Sequence, residues 1–323
     1  MKRVLVWYGG HERALCESLS RLEDVQVERA ESRAHTLAAM DAADAFVTST
    51  IYWDGEFAER LRHSRRLLWV QVLNAGFDNM ERLGVPERVT VSTLGEIGSA
   101  IVAEHALALL LALARGLPAA IEGQRACAWN AGPVIRAART LQGLEVAVLG
   151  FGHIGRRAAA LAAAFGARVV AFARTARLDP SGTQVRALEA LRQSLQAFDA
   201  LLICAPLNEA TARLVDDRAF AAMRRGAFLV NVSRGGIVDT SALLEALRNG
   251  SLAGAALDVV DPEPLPVSHP LWSLPNVLLT PHTAWAGGGS GQLRRIEELV
   301  VENVRRFARS EPVLHVASMS RGG

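Results

Sequence analysis

The chain has 323 residues, 50% of them hydrophobic and 21% charged, with a formal net charge of +2. That length suits two domains, each with its own core, and the charge excess is too slight to argue for nucleic acid as a partner. Lys2 is the only lysine, an arginine bias that reads as genome composition rather than function. Cys16, Cys127 and Cys204 have no metal-ligand spacing and form no even framework, so no metal is expected and a reducing, cytoplasmic setting is. The N-terminus enters a strand within a few residues and has no signal-peptide pattern. The longest apolar run, Ala106 to Ala114, is too short to span a bilayer, so no membrane is expected.

In chain order, apolar runs at Val4–Tyr8, Val25–Val27, Ala45–Val47 and Leu67–Val72 predict short strands. Helical stretches such as His11–Leu22 and Phe57–Arg62 lie between them, which predicts a small parallel α/β domain. A long helix is expected from Ser99, a candidate N-cap, to about Arg115. Ala119 to Gln142 is mixed and reads as an arm carrying Trp129 and Pro133. A second α/β unit then starts at Leu144, with strands at Val146–Leu149, Val169–Phe172, Leu201–Ile203, Phe228–Asn231, Ala255–Leu257 and Val277–Leu279. After Gly287–Gly289 comes an amphipathic helix ending near Pro312, and Ser318–Gly323 reads as a frayed tail. The expected domains are residues 1–98 with 284–323, and residues 99–283.

The most informative stretch is Gly150-Phe151-Gly152-His153-Ile154-Gly155, directly after the strand at Val146–Leu149 and before a small-residue helical run. Strand, tight glycine turn and helix N-terminus together suit a dinucleotide pyrophosphate. Gly150 permits the turn, Gly152 lets backbone approach the phosphates, and Gly155 allows close helix packing. The helix N-terminus supplies N–H groups and partial positive charge. At the end of the next strand, an acidic residue would bind the ribose hydroxyls of NAD(H). Ala173 stands there, followed by Arg174, Thr175 and Arg177. Two guanidinium groups and a hydroxyl suit a 2′-phosphate, so NADP(H) is expected over NAD(H). A solvated basic turn in an arginine-rich chain is the competing reading. Cys204, Ala205 and Pro206, after the third strand of this unit, are expected to flank the adenine, unless they form a plain strand exit.

Arg234, Glu263 and His282 each follow a strand of the second unit, and ligands of open parallel sheets bind at those strand ends. Reduction of a ketone beside a carboxylate needs a proton donor, and histidine is the side chain most easily poised for it. A neighbouring acid favours the imidazolium, and arginine can hold the carboxylate and polarise the carbonyl. Together, after this glycine motif, these residues are much more specific than any one alone.

With these motifs the chain resembles the D-isomer-specific 2-hydroxyacid dehydrogenases, over nearly its whole length and most strongly from Val102 to Trp285. The resemblance implies two Rossmann-like or flavodoxin-like parallel-sheet domains with a cleft between them. It makes Arg234 the substrate-binding arginine, Glu263 the acid that pairs with the histidine, and His282 the acid/base. It places Asp258 on the nicotinamide amide and Val102 near the nicotinamide. The Asn74-Ala75-Gly76-Phe77-Asp78 loop matches the element whose Ala75 and Gly76 amides receive the substrate carboxylate. Phe77, where a small aliphatic residue is usual, and Asn208, where threonine is frequent, depart from the pattern. Trp285 is similar to a tryptophan of glycerate-dehydrogenase-like members and is either a wall of the substrate pocket or a core residue. The basic Arg174 turn resembles that of the NADPH-preferring glyoxylate and hydroxypyruvate reductases. The expectation is therefore reduction of a small 2-keto acid to a D-2-hydroxy acid, by a homodimer that uses the 119–142 arm as a contact. The alternatives are a nucleotide-sensing scaffold like the related corepressors, or a phosphite- or formate-type dehydrogenase.

Overall fold

The computed structural model describes residues 1–9, 12–74, 76–286 and 289–317. His11, Ala75, Gly287–Gly288 and the expected frayed tail lie outside the described residues. The chain divides into two compact units, Met1–Gly98 with Gly287–Gly323, and Ser99–Ala286. Thr283 to Ala286 stay with the larger unit because Ala284 is buried in its core and donates its N–H to Asp258 Oδ2 at 3.0 Å.

The smaller unit holds strands β1 (Lys2–Val6), β2 (Val25–Arg29), β3 (Ala45–Thr48), β4 (Trp69–Val72) and β5 (Thr90–Ser92). They form a five-stranded parallel sheet in the order β2-β1-β3-β4-β5. Successive side chains of β1 serve opposite layers, as strand geometry requires. Val4 and Val6 pack with Leu15, Val300 and Val304, whereas Leu5 packs with Phe46, Phe57 and Leu61. Both faces are thus covered, the rule for parallel sheets. The helix Ser290–Ala308 returns the chain to this unit.

The larger unit holds β6 (Glu145–Leu149), β7 (Arg168–Ala173), β8 (Arg177–Leu178), β9 (Gln184–Ala187), β10 (Ala200–Ile203), β11 (Ala227–Asn231), β12 (Leu252–Leu257) and β13 (Val277–Leu279). Their order is β13-β12-β11-β10-β6-β7-β9-β8. All pairs are parallel except β8–β9. The order in which strands are added reverses between β6 and β10, which is the switch point where such folds bind ligands. The sequence reading has no counterpart of β5, β8 or β9. β8 is the edge strand and β9 its neighbour, and both are short and partly polar at this end of the sheet. The expected mixed arm contains two helices, Leu117–Arg125 and Ala131–Ala137. Ser99 is the first residue of its helix rather than a flanking cap.

Among the described residues no single helix is long and apolar enough to cross a membrane, although Ser99–Ala114 and Leu117–Arg125 would qualify as a bent pair. The apolarity of Ser99–Ala114 has a local reason. Val102, Ala106, Leu109, Leu110 and Leu113 are buried in a core shared with β6, β10 and β11.

Candidate active site

The glycine motif occupies the turn between β6 and the helix His153–Ala164. Gly150 has φ +93°, and a Cβ on it would lie 2.5 Å from the Ala205 backbone. The loops leaving β6 and β10 therefore touch at the switch point, and only glycine permits both the φ and the approach. A Cβ on Gly155 would lie 1.9 Å from the Gly150 carbonyl oxygen, whereas one on Gly152 would meet no protein atom within 4 Å. Packing thus accounts for the outer two glycines. The open face at Gly152, with no side chain capping the helix that starts there, fits the approach of a pyrophosphate.

Beyond β7, Arg174 and Thr175 are exposed. Arg177 is held, its guanidinium 5.9 Å above the Phe151 ring and its NH1 donating to Thr175 O at 3.1 Å. Arg156, which the sequence reading passed over, lies 5.5 Å from the same ring and 3.4 Å from Asp179 Oδ2. That oxygen is buried without a hydrogen-bond partner. The basic end of this site therefore joins a helix arginine to the β8–β9 hairpin. The visible signal was the arginine immediately after Gly155. Of the expected adenine-side residues, Ala205 is buried and Pro206 is exposed. Burial pushes the Cys204 thiol up to about 12, which makes it an inert wall. Asn208 serves its own turn, accepting from Ala210 N–H at 3.0 Å.

The three polar residues come together from three strand ends. Asn231, at the end of β11, is almost fully buried. It donates through Nδ2 to Arg234 O at 2.9 Å and accepts from Ser233 N–H at 3.0 Å, which shapes the turn carrying Arg234. A Cβ on Gly235 would lie 2.0 Å from the Val260 backbone, so this turn is pressed against the loop after β12. In that loop Glu263 Oε1 accepts from Val260 N–H at 3.0 Å. Its other oxygen meets His282 Nδ1 at 2.8 Å. Among the described residues His282 Nε2 has no hydrogen-bond partner, which leaves that nitrogen for a ligand.

Electrostatics follow the geometry. The hydrogen bond that His282 donates to Glu263 raises the His282 pKa above its ordinary range, against partial burial and the nearby Arg234 charge. Burial pulls Glu263 upward, but His282, the Val260 N–H and Arg234 together bring it below the ordinary carboxylate range. The side chains of His282 and Glu263 are 43% and 36% exposed, so solvent screens the pair and its gain in stability is modest.

Two of the residues expected near the nicotinamide are buried. Asp258 is 2% exposed, and its carboxylate accepts from Thr280 Oγ1, Thr283 N–H and Ala284 N–H at 2.6, 2.9 and 3.0 Å. It anchors the His282 turn. Val102 is buried among core side chains. Trp285 is 54% exposed and donates Nε1–H to His282 O at 3.1 Å, which removes the core reading for it. In the smaller unit, the Gly76 carbonyl accepts from Thr50 Oγ1 at 2.6 Å and from Asn74 Nδ2 at 2.7 Å. The loop offered as the carboxylate receptor is therefore pinned from inside.

The sequence pattern of the D-isomer specific 2-hydroxyacid dehydrogenase NAD-binding domain matches residues 107–284, more than half of the chain. The chain belongs to that family. It is an NAD(P)-dependent enzyme interconverting 2-keto and 2-hydroxy acids. A glyoxylate reductase from Aeropyrum pernix is 34% identical to it, covering 91% of this chain and 90% of the relative. A D-isomer specific 2-hydroxyacid dehydrogenase from Xanthobacter autotrophicus Py2, solved with NADPH and MES, superposes with a TM-score of 0.82 at 29% identity, covering 100% and 99% of the two chains. The TT0316 protein from Thermus thermophilus gives 0.78 at 34% identity, covering 98% and 99%.

Proposed function

We propose that this enzyme reduces glyoxylate and hydroxypyruvate to D-2-hydroxy acids with NADPH. The observation that carries the reading is the 2.8 Å contact of His282 Nδ1 with Glu263 Oε2, which leaves Nε2 as the proton-bearing edge. Gly150, Gly152 and the start of the following helix would hold a nicotinamide dinucleotide, which would supply the hydride to the keto carbon. His282, held protonated by Glu263, gives its Nε2 proton to the ketone oxygen as negative charge develops there. Arg234 holds the substrate carboxylate and polarises the carbonyl. The Ala75 and Gly76 amides are the proposed carboxylate donors of the smaller unit, and the pinned Gly76 carbonyl supports a preset loop. Trp285, exposed beside the histidine, is a wall that favours small substrates. NADPH preference is supported by Arg156, Arg174, Thr175 and Arg177 and by the absence of an acid at Ala173; NADH remains a slower donor. The exposed apolar arm supports a homodimer, and the three free thiols suit a reducing cytoplasm.

A substrate panel tests this directly. NADPH oxidation is expected with glyoxylate and hydroxypyruvate, less with pyruvate, and least with phenyl-substituted keto acids. A preference for the bulky keto acids would overturn the substrate assignment.

A further inference from the structure

Beneath the His282 turn runs a polar chain that the reaction above does not use. His105 projects from the Ser99–Ala114 helix, with Nε2 3.1 Å from Thr280 Oγ1 and 3.4 Å from Asp258 Oδ1. Thr280 Oγ1 donates its own hydrogen to Asp258 Oδ1 at 2.6 Å. A hydroxyl carries one hydrogen, and the carboxylate takes it. His105 Nε2 must therefore be the protonated nitrogen, donating to the threonine oxygen. Asp258 in turn holds the backbone on both sides of the catalytic imidazole. Its carbonyl accepts the His282 N–H at 2.8 Å, and its carboxylate accepts the two following amides, Thr283 and Ala284.

That clamp has something to restrain. His282 has φ +53°, a left-handed conformation that residues other than glycine hold only where surrounding structure over-determines it. Freed from the clamp, the turn would relax and carry the ring away from Glu263. We infer that His105 and Thr280 are positioning residues for His282, holding the Asp258 carboxylate where it fixes the turn from which the imidazole reaches Glu263. The inference rests on the reductase reading above. The charged groups acting on His282 are Glu263, Arg234 and Asp258; His105 reaches it through Thr280 and Asp258.

Two pairs of variants in the full-length protein test this. Thr280→Val removes the hydroxyl at constant shape and Thr280→Ser keeps it; His105→Leu removes the donor and His105→Gln keeps one. Thr280→Val and His105→Leu should each lower kcat for glyoxylate about tenfold, the scale of a small misplacement of a reacting group. NADPH affinity should stay within about twofold. The His282 titration, followed by NMR without substrate or cofactor, should move down toward its ordinary midpoint. Thr280→Ser and His105→Gln should restore most of both. Unchanged kcat in Thr280→Val and His105→Leu overturns the inference, as does a kcat loss with an unmoved His282 titration. If Thr280→Val does not fold, the His105 pair decides by the same criteria. Failure of the parent protein to reduce any keto acid sinks the reductase reading instead, and the NMR titration still judges the positioning role.

Discussion

His282 Nδ1 and Glu263 Oε2 lie 2.8 Å apart although they stand 19 positions apart in the chain, and each residue is held by a backbone hydrogen bond. The Val260 N–H fixes the carboxylate from one side. Asp258 and Thr280 carbonyls both accept the His282 N–H, at 2.8 and 2.9 Å. The pair is therefore held in place from both sides, as the proposed proton delivery requires.

Its charge state sets the pH dependence. Their contact raises the His282 pKa above the ordinary imidazole range and brings that of Glu263 below the ordinary carboxylate range. The contribution of His282 to folding is complete below its ordinary pKa and is lost as pH rises through its raised one. That of Glu263 is complete above its ordinary pKa and is lost as pH falls through its depressed one. Keto acid reduction, which needs the imidazolium, should hold through neutral pH and fall on the alkaline side; hydroxy acid oxidation should rise there. Glu263→Gln should move the alkaline limb of reduction to lower pH. A pH profile of kcat/KM for parent and variant checks this, and an unmoved limb would remove Glu263 from the pair.

Removing the acid itself should be more severe. His282→Asn is expected to lower kcat by about 10²–10⁴-fold, the usual scale for general acid catalysis, with cofactor binding nearly unchanged. Arg234→Ala should raise KM for the keto acid and lower kcat together, because it serves both binding and polarisation. Steady-state kinetics with fluorescence titration of NADPH separates the two effects. Retained turnover in both variants would reject the assigned roles.

Cofactor choice should depend on more than the turn after β7. Arg156→Ala and Arg174→Ala are each expected to lower kcat/KM for NADPH about tenfold while sparing NADH, the loss of one charge-assisted contact to phosphate. The ratio of kcat/KM for the two cofactors is the measurement. An unmoved ratio in both variants would assign these arginines to the surface alone.

Gly235→Ala should destabilise the larger unit by about 1–3 kcal/mol, the cost of forcing an atom into packed structure. The added carbon would lie 2.0 Å from the Val260 backbone, so the Arg234 and Glu263 loops must separate. Urea unfolding reports the stability, and kcat should fall with it. A variant of parental stability and activity would show that the two loops yield more freely than their contact implies.

Self-association should follow the arm. Leu117, Ile121, Trp129 and Ile135 are large apolar side chains left exposed there, a pattern that marks association surfaces. Sedimentation should give a dimer, and Trp129→Arg with Ile135→Arg should shift it toward monomer. A monomeric parent protein would end the proposal.

Much of this was legible in the residues. The apolar runs located β6, β7, β10, β11, β12 and β13, since buried parallel strands are read as continuous hydrophobic stretches. The glycine spacing marked the switch point, because backbone contact there excludes a Cβ. Arg234, Glu263 and His282 declared themselves by type and by following strands. Other features depend on contacts between distant segments, which local pattern cannot encode. β8, at the sheet edge, and β9 beside it are short, polar strands with weak periodicity. Arg156 shares the Phe151 ring with Arg177 only once the hairpin folds back. Asp258 anchors the His282 turn because the chain returns through Thr280 to Ala284 and supplies hydrogen bonds to its carboxylate. Sequence alone thus determined the family, the sheet and the candidate polar side chains, whose chemistry is intrinsic to residue type and short spacing. Tertiary structure alone decided which polar groups are consumed internally and which remain for a ligand, because that depends on where each hydrogen-bonding partner ends up in space.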